Sequence, residues 1–260
     1  MNDDADEPTY RLAELTWREV EAALEETRTL LLPVGSVEQH GHHLPLGVDV
    51  QMPEAVAERV AARTDCLLAP AIPYGVSPHH TFKPGTFTVE SETFQHYVRD
   101  VCASAGEWGV ENVLLLNGHY LAQDPELDVV VRTLRTEHDL RAFHVPLSDV
   151  WAETAEEGRT GEPAFHAAEF ETSVLLALRP DLVSMDEAVP VEVPDESLPL
   201  TDYDAYGENR VGWALSADDM ADLTHAGNLG DPRGATAEFG ERLVETAVSN
   251  VATLVEALDA

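Results

Sequence analysis

Residues 35–49, Gly-Ser-Val-Glu-Gln-His-Gly-His-His-Leu-Pro-Leu-Gly-Val-Asp, place a carboxylate, three imidazoles and a second carboxylate within fifteen positions. Glu38 and His40 stand two apart. In an extended segment residues i and i+2 point to one face, so both side chains can reach one cavity. Asp49 returns after a short, turn-rich excursion. Neutral imidazole beside carboxylate is the donor set of a Zn, Mn or Fe(II) site. A histidine-rich surface loop would share this composition, but here the apolar run 29–34 (Thr-Leu-Leu-Leu-Pro-Val) leads straight in. That order reads as a buried strand delivering its polar end to a site, at the carboxyl edge where open α/β sheets hold their ligands.

Three more segments carry chemistry-bearing residues. The apolar run 113–116 ends in Asn117-Gly118-His119-Tyr120. Gly118 permits a tight turn and a close backbone approach, and His119 emerges at the same edge, either as a hydrogen-bonded core histidine or as a ligand. In Phe165-His166-Ala167-Ala168-Glu169-Phe170-Glu171, a helix beginning near Ala167 puts Glu171 in its first turns, where an acid serves either a site or the helix dipole. The turn-rich loop 73–86 carries Ser77 and His80, each suited to contact a substrate or to make ordinary loop hydrogen bonds. Asp231-Pro232-Arg233-Gly234 reads as structural, with Thr236 capping the helix that follows.

The elements that must position these residues alternate. Helices are expected over 15–24 (Thr16 and Glu19 forming a capping box), 52–62, 93–106, 128–137, 170–178 and 235–258, and strands over 30–34, 66–72, 110–116 and 142–147. Strands separated by helices imply parallel crossovers. The expected fold is therefore α/β, a three-layer α/β/α sandwich with a mainly parallel sheet, as a single domain over 1–260. The stretch 184–230 is rich in Pro, Asp, Gly and Tyr with little periodicity. It is expected to be an irregular excursion packing over the site or between subunits.

Composition narrows the function classes. Forty-nine acidic against fifteen basic residues give a net charge of −34, which excludes a nucleic-acid partner, since phosphate contacts need basic side chains. The acids are dispersed and Lys83 is the sole lysine, which points to adaptation to high salt, where self-repulsion is screened. Cys66 and Cys102 sit in apolar surroundings and read as buried thiols. No apolar stretch reaches membrane-spanning length and the start is acidic, so the expectation is a cytoplasmic protein. No GxGxxG follows a strand, which leaves a dinucleotide site without support.

Taken together, the pattern Gly-Ser-x-Glu-x-His-Gly-x-His-Leu-Pro-x-Gly-x-Asp, then Asn-Gly-His, then His-Ala-x-x-x-Glu-Thr-Ser, resembles the creatininase (creatinine amidohydrolase) family over nearly the whole chain. The resemblance implies two divalent metal ions per subunit, hexameric assembly and a small-molecule substrate. Carried over by motif, Glu38 and His119 would bind one metal, His40 and Glu171 the other, and Asp49 would bridge. Water activated between two cations would attack an amide carbonyl, and His166 would donate a proton to the leaving nitrogen. Ser77 and Tyr120 would contact substrate. The chain departs from creatinine-acting members at three places. Leu121 stands where they carry Glu. Glu162 and Pro163 stand where they carry Trp-Asp. Residues 117–122 replace the Asn-Gly-His-Gly-Gly-Asn of many relatives. The family includes a deformylase of a ribosylaminopyrimidine phosphate in archaeal flavin and deazaflavin biosynthesis. That role, hydrolysis of a formamide C–N bond, is the expectation, with Lys83, Arg159 and Arg233 as candidate phosphate contacts. Creatinine ring opening and a non-catalytic metal-binding scaffold are the alternatives.

Overall fold

The protein was studied as a computed structural model that describes residues 10–160, 166–192 and 215–260. Four parallel strands, β1 (Thr29–Val34), β2 (Leu67–Leu68), β3 (Asn112–Asn117) and β4 (Arg141–Pro146), lie in the order β2-β1-β3-β4. β1 pairs with β3 from Thr29↔Asn112 to Val34↔Asn117, and β3 pairs with β4 over its whole length. The two site-bearing strands are thus adjacent, central and in step, so their polar ends leave the sheet side by side.

The described helices are α1 (Trp17–Ala23), α2 (Val48–Thr64), α3 (Ser91–Glu107), α4 (Asp124–Glu137), α5 (Leu147–Val150), α6 (Ala152–Gly158), α7 (Glu169–Leu178), α8 (Ala217–Leu223) and α9 (Ala237–Asp259). Side chains alternate along each strand, and the two faces are buried against different helices. Leu31, Leu114, Leu116 and Val145 pack with α2, α7 and α9. Leu30, Leu32, Val34, Val113 and Leu115 pack with α3 and α4. This is why the strands read as unbroken apolar runs, and it gives the expected three layers. Thr16 caps α1 through a capping box with Glu19, and Thr236 caps α9. Both cysteines are free and buried. Among the described residues no helix is long and apolar enough to cross a membrane.

Three expectations need correction. The strand expected over 66–72 is a two-residue ladder at the sheet edge, since Pro70 lacks an N–H to donate, and Ile72 rejoins through a lone bridge to Val34. The excursion 184–230 has structure in its described parts. A lone bridge joins Val191 to Gly230, α8 is capped by Ser216 with Asp219 and packs on the Pro78–His80 turn, and Leu229 bridges to His166. Residues 193–214 lie outside the described residues. Finally, α2 starts at Val48, so Asp49 belongs to a helix rather than to the loop before it.

That helix start is held in an unusual way. Pro53, inside α2, has no N–H for the carbonyl four residues back, which is that of Asp49. Gly35 and Gly118, the residues just past β1 and β3, close on the same carbonyl. A β-carbon at either would stand 2.1 Å from the Asp49 oxygen. Gly118→Ala must therefore push α2 off the sheet edge. It is expected to destabilise the metal-free protein by at least ~3 kcal/mol, measured by urea unfolding. An unchanged midpoint would mean that the helix start yields freely.

Candidate metal centre

Every residue of the site comes from a segment leaving the carboxyl edge of the sheet. Glu38 and His40 follow β1, His119 follows β3, Asp49 lies in the first turn of α2, and His166 and Glu171 flank the start of α7. All six are buried, none more than 6% exposed. Asp49 is the junction: its Oδ1 is 3.0 Å from His40 Nε2 and its Oδ2 is 3.1 Å from His119 Nδ1. Glu38 Oε2 lies 3.4 Å from His119 Nε2, and Glu171 Oε2 lies 3.9 Å from His40 Nε2. Of the three imidazoles in the first motif only His40 faces this centre. His42 is exposed, and His43 turns to Thr172 of α7 at 2.9 Å.

The backbone sets which nitrogen each imidazole offers. His40 Nδ1 is 3.2 Å from the Glu38 carbonyl, and His119 Nε2 is 3.2 Å from the Val76 carbonyl. A carbonyl only accepts, so these nitrogens donate, leaving His40 Nε2 and His119 Nδ1 aimed at Asp49. An imidazole fixed this way by a backbone carbonyl is the usual support of a metal ligand.

The charge balance points the same way. Three carboxylates share one buried space, and Glu38 Oε1 and Oε2 and Asp49 Oδ2 have no aligned hydrogen-bond donor. Burial pushes the Glu38 carboxyl up to about 7 and raises Glu171. Burial alone would lower His40 and His119. Asp49 outweighs it at His40 and Glu38 at His119, holding the rings up at about 10 and about 9. The two imidazoles hold Asp49 below the usual carboxylate range despite its burial. Buried acceptors without donors, facing nitrogens whose other side is already bonded, fit a divalent cation. Donor atoms of Glu38, His40 and Asp49 converge within 4.8 Å, as do those of His40, His166 and Glu171 and those of Glu38, His80 and His166.

The surrounding residues fall into place with some surprises. Tyr120 donates its hydroxyl to Glu171 Oε1 at 3.1 Å, and Ala167 N–H donates to Glu171 Oε2 at 2.5 Å. Ser77 is fully buried behind His119, its Oγ 2.6 Å from Ser36 Oγ and 3.2 Å from His119 Nε2. Leu121 is 38% exposed with φ 64°, so no acid reaches the site from that position. Glu162 and Pro163 lie outside the described residues. Of the candidate phosphate contacts, Arg233 is paired with Asp231 and Arg159 with Glu156, while Lys83 lies over the Phe82 ring. Reading the sequence missed Gln39, whose side chain touches both His80 and His166, and it gave His80 no firm role. His80 Nε2 is 3.3 Å from Glu38 Oε1. The only cue was their place inside, or beside, motif segments.

Known proteins are similar to this chain over most of its length. The family model described as creatinine amidohydrolase matches residues 13–255. The chain is 32% identical to the creatinine amidohydrolase of Pseudomonas putida over 262 residues, covering 94% of this chain and 95% of that protein. It is 32% identical to the mycofactocin precursor peptide peptidase of Mycolicibacterium smegmatis over 233 residues, covering 87% and 84%. Among solved structures, a mutant creatininase of the Zn-Zn type superposes with a TM-score of 0.76 at 31% identity, covering 96% of this chain and 98% of that one.

Proposed function

The chain belongs to the creatininase family of amidohydrolases, and from that premise we propose a binuclear-metal hydrolase that cleaves a non-peptide C–N bond of a small molecule. The observation that carries the reading is Asp49, which faces His40 with one oxygen and His119 with the other. Glu38 and His119 would hold one divalent ion and His40 and Glu171 the second, with Asp49 between them. Zinc, manganese or Fe(II) bound there would lower the pKa of a water and polarise an amide carbonyl.

The chain's own residues do the rest. Tyr120 and the Ala167 N–H fix the Glu171 carboxylate. His166, buried beside Glu38 and kept below the usual histidine range chiefly by burial, is the group placed to carry a proton to the leaving nitrogen. Leu121 lies on the surface, so no acid acts from that position. Both relatives named above are hydrolases, so the scaffold alternative has no support among them.

For the substrate we favour a formamide, such as the formylaminopyrimidine ribonucleotide of flavin and deazaflavin biosynthesis. The dispersed acidic composition, suited to high salt, and the loss of the creatinine-type acid at Leu121 support it. With Arg159 and Arg233 engaged by carboxylates, Lys83 is the remaining candidate for a phosphate contact. Creatinine is the second reading, supported by the identity to the Pseudomonas putida enzyme. The test is steady-state kinetics of the zinc- and manganese-loaded protein in high salt. Formate release from the formylaminopyrimidine with kcat/KM of at least about 10⁴ M⁻¹s⁻¹ is expected, with creatine formation from creatinine at least about a hundredfold slower. The reverse order would replace the first substrate by the second.

A further inference from the structure

We propose that Gln39 is a positioning residue that sets the tautomers of two stacked histidines, so that His80 presents a proton and His166 a lone pair to the same oxygen of Glu38. The consequence for catalysis rests on the amidohydrolase reading, while the tautomers themselves follow from hydrogen bonding alone.

The orientation of the Gln39 amide is fixed from both ends. Gly41 N–H donates to Oε1 at 3.1 Å, and Nε2 donates to the Gly227 carbonyl at 3.0 Å. The second amide hydrogen then goes to His80 Nδ1, 2.9 Å away. An amide NH₂ cannot accept, so His80 Nδ1 is the acceptor and the neutral ring carries its hydrogen on Nε2, 3.3 Å from Glu38 Oε1. The backbone carbonyl of Gln39 lies 2.8 Å from His166 Nε2. A carbonyl only accepts, so His166 carries its hydrogen on Nε2 and is bare at Nδ1, which faces Glu38 Oε1 at 3.9 Å. The 3.1 Å approach of Gln39 Nε2 to His166 Nε2 is a contact between donors, since both amide hydrogens are committed elsewhere. The rings stack with centroids 4.0 Å apart and planes 24° apart.

One residue thus reads both rings, His166 through its main chain and His80 through its side chain. The partner that holds its amide comes from the far end of the sequence: Gly227 has φ 101°, and a β-carbon there would stand 1.9 Å from Gln39 Oε1. Two consequences follow. His80, with its hydrogen on the nitrogen nearest Glu38, has no lone pair there for a metal, although it groups with Glu38 and His166 within 4.8 Å. His166, bare at Nδ1, takes a proton before it gives one. The proton of the attacking water passes to Nδ1 as the new C–O bond forms, and from there to nitrogen as the C–N bond breaks.

The experiment is long-range ¹H–¹⁵N correlation of zinc-loaded protein labelled at histidine, for wild type and Gln39→Glu. Wild type is expected to show both His80 and His166 as Nε2–H tautomers. The ionised carboxylate introduced by the substitution would have no hydrogen to give, so in Gln39→Glu His80 switches to the Nδ1–H form. His166, bonded to the unchanged main chain, keeps its tautomer. In parallel kcat falls about 10–100-fold with KM within about twofold. An Nδ1–H tautomer at His80 in wild type, or an unmoved His80 in the variant, overturns the proposal. The wild-type spectrum decides by itself if the variant does not fold. If the tautomers are as stated while neither protein cleaves any amide, the amidohydrolase reading fails and the role of Gln39 stands.

Discussion

Asp49→Ala is expected to strip the protein of divalent metal and to lower kcat/KM by about 10³-fold or more. Among the described residues Asp49 is the one carboxylate that faces both His40 and His119, at 3.0 and 3.1 Å. Without it the remaining donors fall into two separate groups. Metal ions supply several kcal/mol of transition-state charge stabilisation, and about 4 kcal/mol corresponds to a thousandfold in rate. Asp49→Asn separates charge from shape, since it keeps the volume and one acceptor oxygen. It is expected to retain the fold and still lose most of the metal. Elemental analysis of wild type and both variants, purified under the same conditions, gives the answer alongside kcat/KM. Two ions retained in Asp49→Ala would show that the carboxylate does not bridge, and the binuclear reading would go with it.

The second large effect is proton release on metal uptake. In the metal-free protein burial works against the charged imidazoles, yet Asp49 and Glu38 hold His40 at about 10 and His119 at about 9. Both rings are therefore protonated at pH 7.5. A histidine must be neutral to bind metal, so uptake is expected to expel about two protons. Apparent affinity should then rise about a hundredfold per pH unit between pH 7.5 and 9, and level off above about pH 10. Linkage also fixes the behaviour of the metal-free fold. Raised imidazole pKa values contribute stability that is complete below about 6.5, the unfolded value, and is lost as pH rises through 9 and then 10. Calorimetric titration with zinc in buffers of differing ionisation enthalpy counts the protons directly. A count near zero at pH 7.5 would mean that the imidazoles are already neutral and the carboxylates already ionised before the metal binds.

Much of this was legible in the chain because the physics involved is local. Leucine runs such as 113–116, buried on both faces, specify central parallel strands, and Thr16 and Thr236 announce helix starts through hydrogen bonds within three residues. The order of motifs put Glu38, His40, His119 and Glu171 at one edge, where the structure brings them together. What stayed hidden depends on contacts between distant segments. The start of α2 was misplaced because Pro53 suggests a first turn, whereas it lies in the second and frees the Asp49 carbonyl for Gly35 and Gly118. Gln39 was overlooked because a neutral residue between two candidate ligands points to the opposite face of an extended segment. Its purpose appears only when Gly227, His80 and His166 arrive beside it. The edge strand was overcalled because Leu67 and Leu68 look no different from the start of a longer run.

The clasp on the Asp49 carbonyl also dictates an order of events during folding. Gly35, Asp49 and Gly118 meet only after β1 has paired with β3 and the first crossover has docked α2 across them. Closing that triangle joins segments some seventy to eighty residues apart in the chain, an entropic cost that must be met before the centre exists. Apolar packing of α2 against the sheet drives that assembly. A metal would therefore enter a nest that is already folded, the reverse of a zinc finger, whose chain waits for its ion before it folds.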